Sequence, residues 1–152
     1  MEKLLAGYGM DIDEAMLKMS RIAADFGLPF GKTVQLYNSR LAQELSVWAD
    51  SKNAGDRFHS EVFKAYFVDG KNIAQIPVLI EIASSLDLPR DEASEILETR
   101  AFKDAVDADW ALSREKQITA VPTFVLNQDR LVGAQSYNAL EMLLESNGVK
   151  RR

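Results

Sequence analysis

Apolar residues recur at helical spacing through most of the chain. Ile12, Ala15, Met16, Met19, Ile22, Ala23 and Phe26 follow a 3.6-residue period, which predicts a helix with one buried face. Asp11 and Glu14 stand at capping-box spacing at its start, and Gly27-Leu28-Pro29 ends it. The stretch 31–37, carrying Val34 and Leu36, leads to a new start near Asn38-Ser39. There Leu41, Ala42, Leu45, Trp48 and Ala49 form a stripe that Asn53-Ala54-Gly55-Asp56 breaks. Phe58, Val62, Phe63, Tyr66 and Phe67 form the next, an aromatic-rich face that runs to the turn Asp69-Gly70-Lys71-Asn72. A further helix carries Leu79, Ile80, Ile82, Ala83 and Leu86; Pro77 suits its first turn, where a missing N–H leaves no bond unmade. Asp87-Leu88-Pro89 stops it. Asp91 is expected to cap a short helix with Ile96 and Leu97, and a longer helix is expected over about 101–115.

The period changes at Gln117. Thr123-Phe124-Val125-Leu126 and Leu131-Val132 are β-prone runs joined by Asn127-Gln128-Asp129-Arg130, which reads as a hairpin connection. Gly133-Ala134-Gln135 breaks the second run. Ser136 is placed to cap a last helix with Leu140, Leu143 and Leu144, and Gly148 to close it. The pattern defines a predominantly helical α/β chain. An isolated hairpin is marginal in water, and its outer edges are unpaired. Either further strands come from another chain, or helices alone cover the hairpin.

Composition narrows the chemistry. The 152 residues fit one domain with a core, 47% are hydrophobic and 27% charged, and the formal net charge is −5. An acidic chain lacks the clustered Lys and Arg that phosphate neutralisation needs, so no nucleic-acid partner is expected. Lys150-Arg151-Arg152 reads as a solubilising tail. No apolar run is long enough to span a bilayer, and Leu4-Leu5-Ala6 is too short for a signal-peptide core, so no membrane partner and a cytoplasmic location are expected. With no cysteine there is no disulfide, thiolate nucleophile or Cys-ligated metal, and a single histidine, His59, excludes multi-His metal sites.

The remaining candidates have plain structural readings. Asp104 and Asp107 are neighbours on a helix but Asp109 points elsewhere, so a solvated face is expected and not a metal site. His59 reads as a surface or capping residue. Trp48 and Trp110 read as core. Gly7 and Gly9 lack the strand and later glycines of a phosphate loop. No catalytic residue, metal ligand or cofactor is assigned.

Ile118-Thr119-Ala120-Val121-Pro122-Thr123-Phe124-Val125-Leu126-Asn127 resembles the cis-proline loop and following strand of thioredoxin-fold proteins. Leu131-Val132-Gly133-Ala134-Gln135 is similar to the Gly-Ala-Gln turn of the DsbA-like subgroup often called FrnE. Phe63-Lys64-Ala65-Tyr66-Phe67-Val68-Asp69-Gly70-Lys71-Asn72-Ile73, residues 38–43 and Tyr8-Gly9-Met10 resemble that subgroup's helical insertion and its approaches. The resemblance implies the C-terminal part of a thioredoxin-like fold, a hairpin plus final helix, with a large all-helical insertion. In domain terms it implies a single partial DsbA-like domain over 1–152. Within it, about 11–115 form the insertion with flanking helices, and about 117–148 form the hairpin and last helix.

The Cys-x-x-Cys motif and flanking strands with which such proteins begin have no counterpart in the sequence, so this chain alone is not expected to be redox-active. The resemblance also implies a cis bond at Val121–Pro122, which the bare sequence would not favour. It further implies a substrate-binding set of Val121, Pro122, Thr123, Gly133, Ala134 and Gln135. In that set Val121 offers backbone hydrogen bonds to a peptide or glutathione-like thiol ligand; Gly133-Ala134-Gln135, just before a helix N-terminus, reads either as a plain turn or as N–H groups that hold an anionic group. The expected function is that of a truncated thiol–disulfide oxidoreductase keeping its substrate loop. Two alternatives stay open. One is a protein like the glutathione-dependent 2-hydroxychromene-2-carboxylate isomerases and kappa-class glutathione transferases. The other is a non-catalytic helical assembly module that self-associates through the hairpin edge, as a dimer.

Overall fold

The computed structural model describes residues 12–31 and 35–150. The expected cap at Asp11, Val34, the 8–10 match, Gly7 and the tail residues Arg151 and Arg152 lie outside them. Among the described residues are seven helices and one hairpin: α1 (Ile12–Asp25), α2 (Arg40–Ser51), α3 (Gly55–Phe67), α4 (Ile76–Ser85), α5 (Arg90–Thr99), α6 (Lys103–Glu115), β1 (Thr123–Leu126), β2 (Asp129–Val132) and α7 (Tyr137–Ser146). The predominantly helical α/β layout read from the sequence is the observed one. None of these helices is long and apolar enough to cross a membrane. The chain divides into two compact units, Met1–Val106 and Asp107–Arg152.

The first unit is built on the predicted stripes. Ala42, Leu45, Trp48 and Ala49 of α2 meet Phe58, Val62 and Ala65 of α3, Leu79, Ile80, Ile82 and Ala83 of α4, and Ala93 and Leu97 of α5. The helices α2, α4 and α5 are each followed by a residue in the left-handed region: Asn53 (φ 57°), Asp87 (φ 61°) and Arg100 (φ 57°). Asn and Asp tolerate that conformation; for an arginine it costs about 1–2 kcal/mol.

What holds Arg100 there is a buried carboxylate. Glu44 lies on the inward face of α2 with no solvent exposure. Arg100 donates from Nε to its Oε2 and from Nη2 to its Oε1, both at 2.6 Å. Arg40 donates from Nε to Oε1 at 2.6 Å and from Nη2 to the Lys103 carbonyl at 2.8 Å. One carboxylate thus ties α2 to the end of α5 and the start of α6. Trp48 has a polar partner as well: its indole N–H donates to Glu92 Oε1 at 3.0 Å, and Lys52 Nζ stands 2.7 Å from the same oxygen.

Four expectations for this unit are corrected. The stripe of α1 is not buried: Met19, Ile22 and Phe26 are exposed, Phe26 at 76%. They face outward because α1 lies off the α2–α5 core, where Met19, Ile22 and Phe26 line an open apolar groove of about 390 Å³ with Phe30, Phe63 and Phe67. The α3 stripe divides for the same reason. Phe58 and Val62 point inward, while Phe63 and Phe67 stack at 5.6 Å along the groove. Asp91 is not a cap: α5 starts after Pro89, which places Asp91 and Glu92 in its first turn, where their charge suits the helix dipole. α6 begins at Lys103, because Ala101 and Phe102 complete the turn that Arg100 opens.

The second unit has a different character, since no described residue from 107 to 150 is buried. Trp110, expected in the core, is 45% exposed, on a stretch of α6 that presents no buried side chain beyond Val106. β1 and β2 pair antiparallel with Thr123 opposite Val132 and Leu126 opposite Asp129. The connection is therefore two residues long, Asn127-Gln128, shorter than expected. Asn127 adopts φ 54°, the left-handed conformation that tight hairpin turns demand and asparagine accepts. α7 packs against β2.

Candidate functional site

The site begins where α6 stops. Gln117 turns left-handed at φ 54°, its N–H donates to the Arg114 carbonyl, and the Ile118 N–H donates to the Ser113 carbonyl, each at 2.9 Å. This Schellman-type closure ends the helix and releases the chain into the loop 118–122. Arg130, on β2, donates from Nη1 to the Lys116 and Gln117 carbonyls at 3.2 and 3.4 Å. At the far end Thr123 Oγ1 donates to the Ala120 carbonyl at 2.6 Å, and the Gly133 N–H donates to the Pro122 carbonyl at 2.7 Å. The second bond carries the ladder one step past the Thr123–Val132 pair. Between these ties the Val121–Pro122 peptide bond is cis. Val121 stands 87% exposed, and its backbone N–H and C=O make no hydrogen bond among the described residues.

The second half of the expected set lies just beyond β2. Gly133 has φ 85°, and a Cβ there would meet nothing within 4 Å, so glycine is required by conformation and not by space. Gln135 Nε2 donates to the Val132 carbonyl at 2.7 Å, which commits that amide to the turn. Ser136 then caps α7, its hydroxyl accepting from the Ala139 N–H at 3.3 Å. Ser136→Ala is expected to lower the stability of this unit by about 1 kcal/mol, read as a lower urea midpoint. An unchanged midpoint would show that the cap contributes nothing. The structure thus joins Pro122 to Gly133 directly, keeps Thr123 beside them, and leaves Ala134 exposed.

Two residues that hold this arrangement escaped the sequence reading. Arg130, which the turn-prone run 127–130 assigns to the hairpin connection, lies in β2 opposite Val125. Asn147 accepts from Asn127 Nδ2 at 2.8 Å, and its own Nδ2 donates to Asp129 Oδ2 and the Leu143 carbonyl, both at 2.9 Å. It pins the hairpin turn to the end of α7. Neither bond has a signature in local periodicity. No group of three metal-ligating side chains occurs among the described residues, and His59 is exposed, its ring 4.4 Å from Phe63.

Residues 8–145 match the family model described as DSBA-like thioredoxin domain, and the chain belongs to that family. The Bacillus subtilis (strain 168) protein YwbO is 30% identical over 112 residues, which cover 73% of this chain and 56% of YwbO. The chain therefore spans little more than half the length of that relative. The crystal structure of a probable DsbA oxidoreductase from Streptomyces coelicolor superposes with a TM-score of 0.81 at 23% identity, covering 99% of this chain and 68% of that one. A candidate protein disulfide isomerase from Nitrosomonas europaea gives a TM-score of 0.68 at 18% identity, with 88% and 72% covered. At these identities the two structures establish the shared fold.

Proposed function

We propose that the loop 118–123 is a docking edge for an extended peptidyl ligand, either a peptide segment or a glutathione-like thiol. The observation that supports this is Val121. Its backbone donor and acceptor are both open, while the neighbouring Pro122 carbonyl is committed to Gly133. A backbone that presents N–H and C=O together from a braced loop is suited to pair with another extended backbone, as an added strand pairs with a sheet edge. Gly133 and Ala134 would flank the bound chain. Thiol–disulfide exchange needs a thiolate to attack a sulfur, and the 152 residues hold no cysteine, so any thiol at this site belongs to the ligand or to another polypeptide segment.

The test is a two-dimensional amide NMR titration with reduced glutathione and, separately, with an unstructured peptide. Shifts centred on Val121, Thr123 and Gly133 at millimolar ligand are expected. Amides there that stay unmoved with both ligands would remove the proposal.

A further inference from the structure

We infer that Arg130 is a positioning residue for the loop 118–122, holding the Val121 backbone at the distance and orientation a ligand meets; this rests on the docking reading above. The argument starts from where the loop is anchored. Its first end is gripped by Arg130 through the Lys116 and Gln117 carbonyls, and its last by Gly133 through the Pro122 carbonyl. Both grips come from β2 and the residue that follows it, three residues apart. At strand rise that segment measures ~10 Å. The five loop residues could reach ~17 Å if drawn out. Arg130 grips through its side chain, whose length adds to that span, so the loop is held at both ends with slack between them. Val121 lies within that slack and is 87% exposed.

The chemistry of the grip suits arginine. The carbonyls at a helix C-terminus carry the negative end of the dipole, and a guanidinium is a permanent cation with several donors in one plane. Here one Nη1 spans two successive carbonyls, of the last turn and of the left-handed residue that follows. A lysine would keep the charge, but its ammonium ends a chain of different length and shape and must find the same point between the two carbonyls. Thr123 braces the loop only internally, through Ala120, and cannot fix the loop relative to α6. Arg130 is itself exposed, so its removal leaves no buried group without a partner, and its effect on the loop is separable from global unfolding.

The test compares the unmodified chain with Arg130→Ala and Arg130→Lys by two measurements. The first is hydrogen exchange, without ligand, at the Gln117, Ile118 and Gly133 amides, which are hydrogen-bonded in the structure. The second is the Kd for reduced glutathione. In R130A the three amides are expected to exchange faster while α7 amides do not. Kd should rise about fivefold, as it does when only a fifth of the molecules hold the binding conformation. R130K is expected to fall between the two. Unchanged exchange in R130A overturns the inference, and so does faster exchange with unchanged Kd, since the loop would then not need holding. If R130A fails to fold, R130K decides by the same criteria. If the unmodified chain does not bind glutathione, the Kd for the unstructured peptide takes its place; failure to bind either would sink the docking reading, and Arg130 would then stand or fall on exchange alone.

Discussion

Glu44→Ala is expected to destabilise the first unit by about 3 kcal/mol, the lower end of the range for breaking a buried ion pair, because Arg100 is 40% exposed and can recover water. Glu44 accepts three charge-assisted bonds from Arg40 and Arg100 with no exposure to water of its own. Its loss would leave two guanidiniums that share one oxygen without the charge between them, and would remove the contact that holds Arg100 left-handed at φ 57°. Replacing all three residues by apolar ones of similar volume is a different experiment. The desolvation of three charged groups disappears with them, and the expected cost is far smaller, with a gain in reach. Urea midpoints followed by circular dichroism would separate the two. A single variant no less stable than the triple one would refute the clasp.

The same carboxylate gives the unit its acid limit. Hydrogen bonds from Arg100, joined by those from Arg40, hold the Glu44 carboxyl below the ordinary carboxylate value, against burial that pushes the other way. The unfolded chain then binds a proton that the folded one refuses, so stability rises with pH in that window. The contribution is present above the ordinary carboxylate value and is lost as pH falls through the folded one. Glu92, held down by Lys52 and by Trp48, acts in the same direction. Tyr66 sets the opposite limit: burial, joined by Tyr37, raises its phenol, so stability falls as pH climbs past the ordinary phenol value. Urea midpoints against pH should show a plateau with two falling flanks, and E44A should flatten the acid flank.

How much of this was legible differs from residue to residue. The inward positions of Leu45, Trp48, Phe58 and Leu79 follow from a 3.6-residue period, because periodicity reports which side of a helix is apolar. It does not report what covers that side, which is why α1 reads as a helix and yet its stripe lies open. Glu44 was a readable anomaly, a charge three residues after Leu41 and four before Trp48. Its partner Arg100 sits 56 positions away, where no spacing rule reaches. At the site, Val121-Pro122-Thr123 and Gly133 stand out only through the family resemblance; the bare sequence would not favour the cis bond that Val121–Pro122 adopts. Arg130 and Asn147 act across the unit by single side-chain bonds, and those depend on a register that composition does not specify.

Phe58→Ala carries the other large expected effect, about 3–5 kcal/mol for the first unit. The ring has no exposed surface and belongs to the cluster that contains Leu45, Trp48 and Leu79. Truncation removes its transfer energy and leaves a cavity that rigid helices close only in part. If the variant does not fold, Phe58→Leu should still be measurably weaker than the unmodified chain. The matching change in the second unit, Phe124→Ala, is expected to cost about 1 kcal/mol or less, because that ring is already 36% exposed and no neighbour there is buried. Residue-resolved hydrogen exchange can follow both units in one sample, and equal losses for the two variants would contradict this division. The contrast has a functional consequence. The loop at Val121 is braced by hydrogen bonds and not by a core, so its geometry depends on a few polar side chains that can change without unfolding the helices. A ligand that adds backbone pairs and apolar cover to the hairpin would stabilise the second unit in proportion to its concentration over Kd. It would leave the Phe58 core untouched, so ligand-dependent protection from exchange should appear from 117 to 148 and not in α2 to α5.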